Sequence, residues 1–182
     1  MSRSGLIYVL GFGCLLAAAE PVLAECADVP APGVYWRRCM QDGQDLRGVD
    51  LSGATLRDSS FKRSDLSDAD LTGADARRVK FVSTILHNTR LDDANLGRAD
   101  LTNAELTGAS LVGADLTSAR LFRADLSRAD LTGARLSNSD LLNAVLAGAT
   151  WIDGKTICSE DSVGQCHPSS SRPDLSEAEP SG

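Results

Sequence analysis

Histidine is almost absent from this chain: 182 residues hold two, His87 and His167. Neither has a second nitrogen or a thiolate at ligand spacing, so no metal donor set begins to form. No G-x-S-x-G elbow and no Gly-rich phosphate loop occurs, and only His87 lies anywhere near a candidate nucleophile. The many Ser, Thr and Asp side chains therefore read as solvated outward positions. The chain reads as a protein without catalysis, metal or cofactor. Cysteine is missing between Cys39 and Cys158, and no C-x-x-C pair exists. Charge of one sign is also lacking where it would count: the whole chain carries −7, but residues 44–153 hold 16 acids against 13 bases. A slightly acidic stretch with aromatics at 4% of the chain excludes a nucleic-acid binder, which needs a basic surface and rings to stack on bases. Long apolar runs are confined to Leu6–Ala19, too short to span a bilayer as a stable helix.

What is present is a five-residue phrase repeated twenty-two times from Leu46 to Trp151 without a slip of frame. Clean copies read Ala69-Asp70-Leu71-Thr72-Gly73 and Ala129-Asp130-Leu131-Thr132-Gly133. The centre is Leu in eighteen copies and Phe in two (Phe61, Phe81), with Ala76 and Trp151 as exceptions. Two residues before the centre stands Ala in fourteen copies. On an α-helix each step of five would rotate the centre by roughly 140°, so no stripe would form. On a flat strand an odd period would throw alternate centres to opposite faces. The period makes sense if the chain turns a corner once per repeat, with the centre and the Ala before it pointing inward.

The phrase A-(D/N)-L-x-x resembles the signature of pentapeptide-repeat proteins, over roughly 110 of the 182 residues. The resemblance implies an all-β fold, a right-handed quadrilateral parallel β-helix with one repeat per side and four per coil. Twenty-two repeats then make about 5.5 coils and, at a sheet spacing of roughly 4.8 Å, a rod about 25 Å long. Residues twenty apart fall in columns, which places Phe61 over Phe81. The bulky Val79, Thr84 and Thr89 in the inward Ala position predict local distortion over residues 76–90, without a break.

The ends are of another kind. Arg3, the apolar Leu6–Ala19 and Val22-Leu23-Ala24 read as a signal peptide, residues 1–24, cleaved after Ala24. A periplasmic or secreted chain without a membrane-spanning part would remain. The alternative is a lipoprotein with its lipid on Cys26, although Glu25 departs from the acceptor pattern. The four cysteines left, Cys26, Cys39, Cys158 and Cys166, allow three pairings in an oxidising compartment. On a rod with ends about 25 Å apart, far beyond the ~7 Å Cα separation that a disulfide spans, the expected bonds are Cys26–Cys39 and Cys158–Cys166. They would staple an N-terminal cap (25–43) and a C-terminal cap (154–166) onto the repeat body (44–153). Trp36 and Trp151 would serve as lids over the open core. Residues 167–182, rich in Pro, Ser and acids, read as a disordered tail.

Two surface features remain. Arg57 over Arg77 and Arg78 over Arg98 form a basic spot, with Lys62 and Lys80 close by. Val82, Phe122 and Leu142 fall in one outward column, where grouped apolar side chains mark interfaces. The expected role is an exported, non-enzymatic rigid scaffold that binds a protein or envelope component, with homodimerisation through a rod end or the apolar stripe as one form. The family resemblance supplies an alternative, a DNA mimic that binds and protects gyrase. Duplex DNA carries one charge per ~1.7 Å, and the near balance of residues 44–153 opposes that alternative.

Overall fold

A computed structural model of the chain describes residues 26–169. The expected signal segment 1–24 and the tail beyond Ser169 lie outside the described residues. Every side of the helix is one β-turn. The carbonyl of the centre accepts from the amide three residues on, as in Ala54 N–H to Leu51 O at 3.0 Å and Ala129 N–H to Leu126 O at 3.0 Å. The second turn residue has φ between 54° and 70° on all twenty-four sides from Gly33 to Gly148, whereas the first does not. That combination defines a type II turn. Fifteen of these sides place a non-glycine residue in the left-handed region, a conformation costing roughly 1–2 kcal/mol for an L residue. The ladder holds them there.

Three further amides per side tie the coils together. Leu51 N–H donates to Asp70 O (2.7 Å) and Gly53 N–H to Thr72 O (2.8 Å) in the following coil, while Thr55 N–H donates back to Val34 O (2.9 Å). Parallel bridges accordingly join residues twenty apart, from Tyr35↔Thr55 to Asp130↔Thr150. The right-handed quadrilateral β-helix is thus the fold, and the columns stand as the sequence predicts.

Its length differs from expectation. The bridging position recurs from Tyr35 onward, so coiling starts inside the segment assigned to the N-terminal cap and completes six coils rather than 5.5. After Ala31 at the opening turn, Trp36 is the first large centre, and Val34 and Cys39 take the inward Ala position. The columns make four sides: the Trp36 side (continuing through Leu56, Ala76, Leu96, Leu116 and Leu136), the Phe61 side, the Leu46 side and the Leu51 side.

Every centre from Leu51 to Leu131 is at most 1% exposed. Trp36 packs on Phe61 with ring centroids 6.3 Å apart, and Phe61 on Phe81 at 5.4 Å. The distortion expected over residues 76–90 is small. Where Ala fills the inward position the turn bond is 2.9–3.1 Å; with Val49, Val79, Thr84 or Thr89 it stretches to 3.2–3.4 Å. The two threonine hydroxyls are absorbed by donating to Phe61 O (2.7 Å) and Leu66 O (2.8 Å). At these four positions bulk lengthens the turn bond while the bridges between coils keep their register.

Both ends are stapled by disulfides, Cys26–Cys39 and Cys158–Cys166. The C-terminal chain folds back antiparallel onto the last coil, pairing Val145 with Val163 and Thr150 with Ile157. A further pair, Cys158 with Pro168, carries the cap past residue 166. Among the described residues it covers the Leu46 and Leu51 sides. On the other two, Leu136 and Leu141 are half-buried and their amides have no partner among the described residues.

Candidate interaction surface

One amide per repeat, that of the first turn residue, finds no backbone acceptor. The Asp preceding the centre accepts it: Asp50 from Ser52 N–H (2.9 Å), Asp65 from Ser67 (2.9 Å), Asp130 from Thr132 (2.9 Å) and Asp140 from Leu142 (3.0 Å). Asn95 does the same for Gly97 at 3.2 Å. These side chains complete the backbone's hydrogen bonding, and reading them as merely solvated is corrected accordingly. Several carboxylates, at this position and at others on the rod, are held below the usual range. The Arg47 guanidinium, then its amide, brings Asp45 to about 2. The Thr156 hydroxyl and amide bring Asp153 to about 2. The Ser67 hydroxyl lowers Asp65, and the Arg78 guanidinium lowers Asp58.

The Trp36 side gathers the arginines singled out from the sequence. Its first turn position reads Arg37, Arg57, Arg77, Gly97, Thr117, Ser137, and its second Arg38, Asp58, Arg78, Arg98, Ser118, Asn138. Asp75 binds Arg57 (2.6 Å) and Arg77 (2.8 Å), and Asp58 takes a bidentate bond from Arg78 (2.6 and 2.9 Å). Arg98 has no carboxylate partner among the described residues. A notch of about 400 Å³ opens where the arginine column stops, lined by Arg77, Arg78, Asn95, Arg98 and Ser118 around Gly97. Sequence reasoning found the arginines but missed Gly97 and Asn95. The available signal was a glycine one position away from the column of turn glycines.

Val82, Phe122 and Leu142 do share a column on the Phe61 side, with Thr102 between the first two. Val82 and Phe122 are half-buried, and the Arg123 guanidinium lies 5.0 Å from the Phe122 ring centroid. Leu142 is 61% exposed, at the uncovered end of that side. The stripe is therefore shallower than expected, because the wall and Arg123 cover its middle. His87 meets Glu105 at 3.1 Å. Among the described residues no group of three or more His, Cys, Asp or Glu converges on a metal-sized site, and no helix is long and apolar enough to cross a membrane.

Fold and surface together define a β-helical solenoid whose polar groups mostly serve its own backbone. The family model for pentapeptide repeats matches eight copies, at residues 45–81, 84–123 and 124–150. The chain belongs to the pentapeptide-repeat family. Among solved structures it is similar to HetL, a pentapeptide repeat protein involved in heterocyst differentiation regulation from the cyanobacterium Nostoc sp. strain PCC 7120. Identity there is 33%, over 68% of this chain and 62% of that one, with a TM-score of 0.61. The match thus spans less than two thirds of HetL. It is also similar to Rfr23 from the cyanobacterium Cyanothece 51142, at 29% identity over 56% of this chain and 81% of that one, with a TM-score of 0.53. QnrB1, a plasmid-mediated fluoroquinolone resistance protein, is 20% identical over 64% of this chain and 71% of that one, with a TM-score of 0.36. No curated protein matches the chain.

Proposed function

We propose that this protein is an exported, non-enzymatic rod that displays fixed side chains to a protein or envelope component. The observation that carries the reading is the uniform ladder. Twenty-four sides repeat one turn and the interior coils repeat one bonding scheme, so surface groups are held at a constant spacing on flat walls. Disulfides at both ends support an oxidising destination. The near balance of 16 acids and 13 bases over residues 44–153 favours this reading over a DNA mimic, whose walls would have to be acidic throughout.

The test is fractionation of cells expressing the full chain, followed by N-terminal sequencing. A periplasmic or secreted product beginning at Glu25 is the expected result. An intact Met1 in the cytosol would sink the export half of the proposal.

A further inference from the structure

The wall of the Trp36 side is interrupted at one point, and three departures from the repeat coincide there. Gly97 stands in the first turn position, where φ is not left-handed and the backbone makes no demand for glycine. Three copies below it in the column are arginines (Arg37, Arg57, Arg77), so the missing side chain leaves a recess beside Arg77. Second, the residue that accepts the Gly97 amide is Asn95, where the coils below and above place Asp75 and Asp115. The amide oxygen still accepts the N–H, but the negative charge is gone and the Asn95 NH2 group remains a donor. Third, Arg98 borders the recess without a carboxylate partner among the described residues. Arg77 and Arg78 each spend the Nε and one terminal nitrogen on Asp75 and Asp58, which leaves further N–H donors on each guanidinium. The one acid lining the recess, Asp115, is held by Arg135 at 2.8 Å.

A recess with an acid removed, donors added and an arginine left over fits a tetrahedral oxyanion. Planar guanidinium forks match phosphate geometry, and the hydroxyls of Thr117 and Ser118 suit the polar remainder of a ligand. The notch of about 400 Å³ is open to solvent and exceeds what one ion fills, which leaves room for the rest of a phosphorylated ligand. We propose that the recess over Gly97 is a binding site for a phosphate group, with Arg98 as its principal ligand and Asn95 and Arg77 as supporting donors. This rests on the display reading by naming what one wall takes up, yet the two can fail separately: N-terminal sequencing tests export, and the titration below tests phosphate.

The experiment titrates purified residues 25–182, disulfides intact, with inorganic phosphate, glucose 1-phosphate and glucose, following backbone amide resonances. Both phosphates should shift Gly97, Arg98 and Ser118, and glucose should not. Tighter binding of glucose 1-phosphate assigns the site to a phosphorylated sugar; equal binding assigns it to free phosphate. Arg98→Gln should weaken phosphate binding about tenfold, as expected for losing a charge-assisted bidentate contact. Gly97→Leu, which fills the recess without changing charge, should abolish it, with thermal melts confirming that each variant folds. Arg123→Gln, at the same turn position on the neighbouring side, should bind as the parent does. Absence of shifts near Gly97, or equal losses in Arg98→Gln and Arg123→Gln, overturns the site.

Discussion

At the scale of single residues, the Asp of the repeat is a backbone component. Its carboxylate takes the only amide in five that neither the turn nor the coil ladder engages, so its removal orphans a donor at the wall. Asp130→Ala should cost about 1 kcal/mol, and Asp130→Asn should recover most of that because the amide oxygen still accepts from Thr132. Urea titrations of the two variants compare them directly, and equal losses would return these residues to the role of solubilising surface. Carboxylates held by guanidinium, hydroxyl and amide donors along the rod set an acid limit. Asp45 and Asp153 lie at about 2 against 3.8, and Asp58 and Asp65 are also lowered. A carboxyl with a depressed folded-state pKa stabilises fully above its unfolded value and loses that contribution as pH falls through the folded one. The melting midpoint should therefore hold steady down to about pH 4 and drop between about pH 4 and pH 2. Circular dichroism melts across that window check the sign, and a midpoint that does not move between about pH 4 and pH 2 would sink this account.

At the scale of elements, the turn and the cap behave differently. Interior turns are locked by the coils on either side, which is how most of the fifteen non-glycine residues are kept at positive φ; Arg38, Asn138 and Asn143 sit in the first and last coils. The C-terminal cap is held mainly by antiparallel pairs over two sides and by one disulfide closing eight residues. Replacing Cys158 and Cys166 together by Ser should cost about 2 kcal/mol of local stability. Amide exchange should accelerate at Leu146 and Gly148, whose N–H groups donate into the cap, while Leu91 and Leu96 stay protected. Uniform acceleration along the rod would mean that the cap and the coils unfold as one unit. How far these elements could be read in advance depended on how loudly each residue spoke. Leu and Phe centres announce the frame because nothing else packs at a period of five. The first coil was harder to see, since Trp36, Gln41, Val34 and Cys39 replace the usual residues and only Gly33, Arg38 and Gly43 keep the turn spacing. The role of Asp is not legible in the sequence, because a capping carboxylate and a solvated one look alike until the turn type is known. The recess at Gly97 stayed hidden because glycine is common in the repeat, and its significance lies in standing one residue away from the turn position.

At the scale of the whole molecule, the ends are the places where uniformity stops. The N-terminal end buries its lid, Trp36, at 1% exposure. Among the described residues the C-terminal end covers two sides, and on the other two Leu136 and Leu141 are half-buried and Leu142 is largely open. Side-by-side walls carry different cargo: arginines and the recess on one, a thin apolar stripe on the next. That division follows from residues twenty apart sharing a column, and it is fixed by chain length between any two points.

The four-sided register makes the rod behave like a combination dial. Duplicating twenty residues would insert a full turn of the dial, lengthening the molecule with every wall still facing its old neighbours. Duplicating five would rotate everything downstream by a quarter, swinging the arginine wall away from its place relative to the terminal hairpin. Slippage in a repetitive gene therefore has two distinct outcomes, growth at constant facing or a change of facing at nearly constant size.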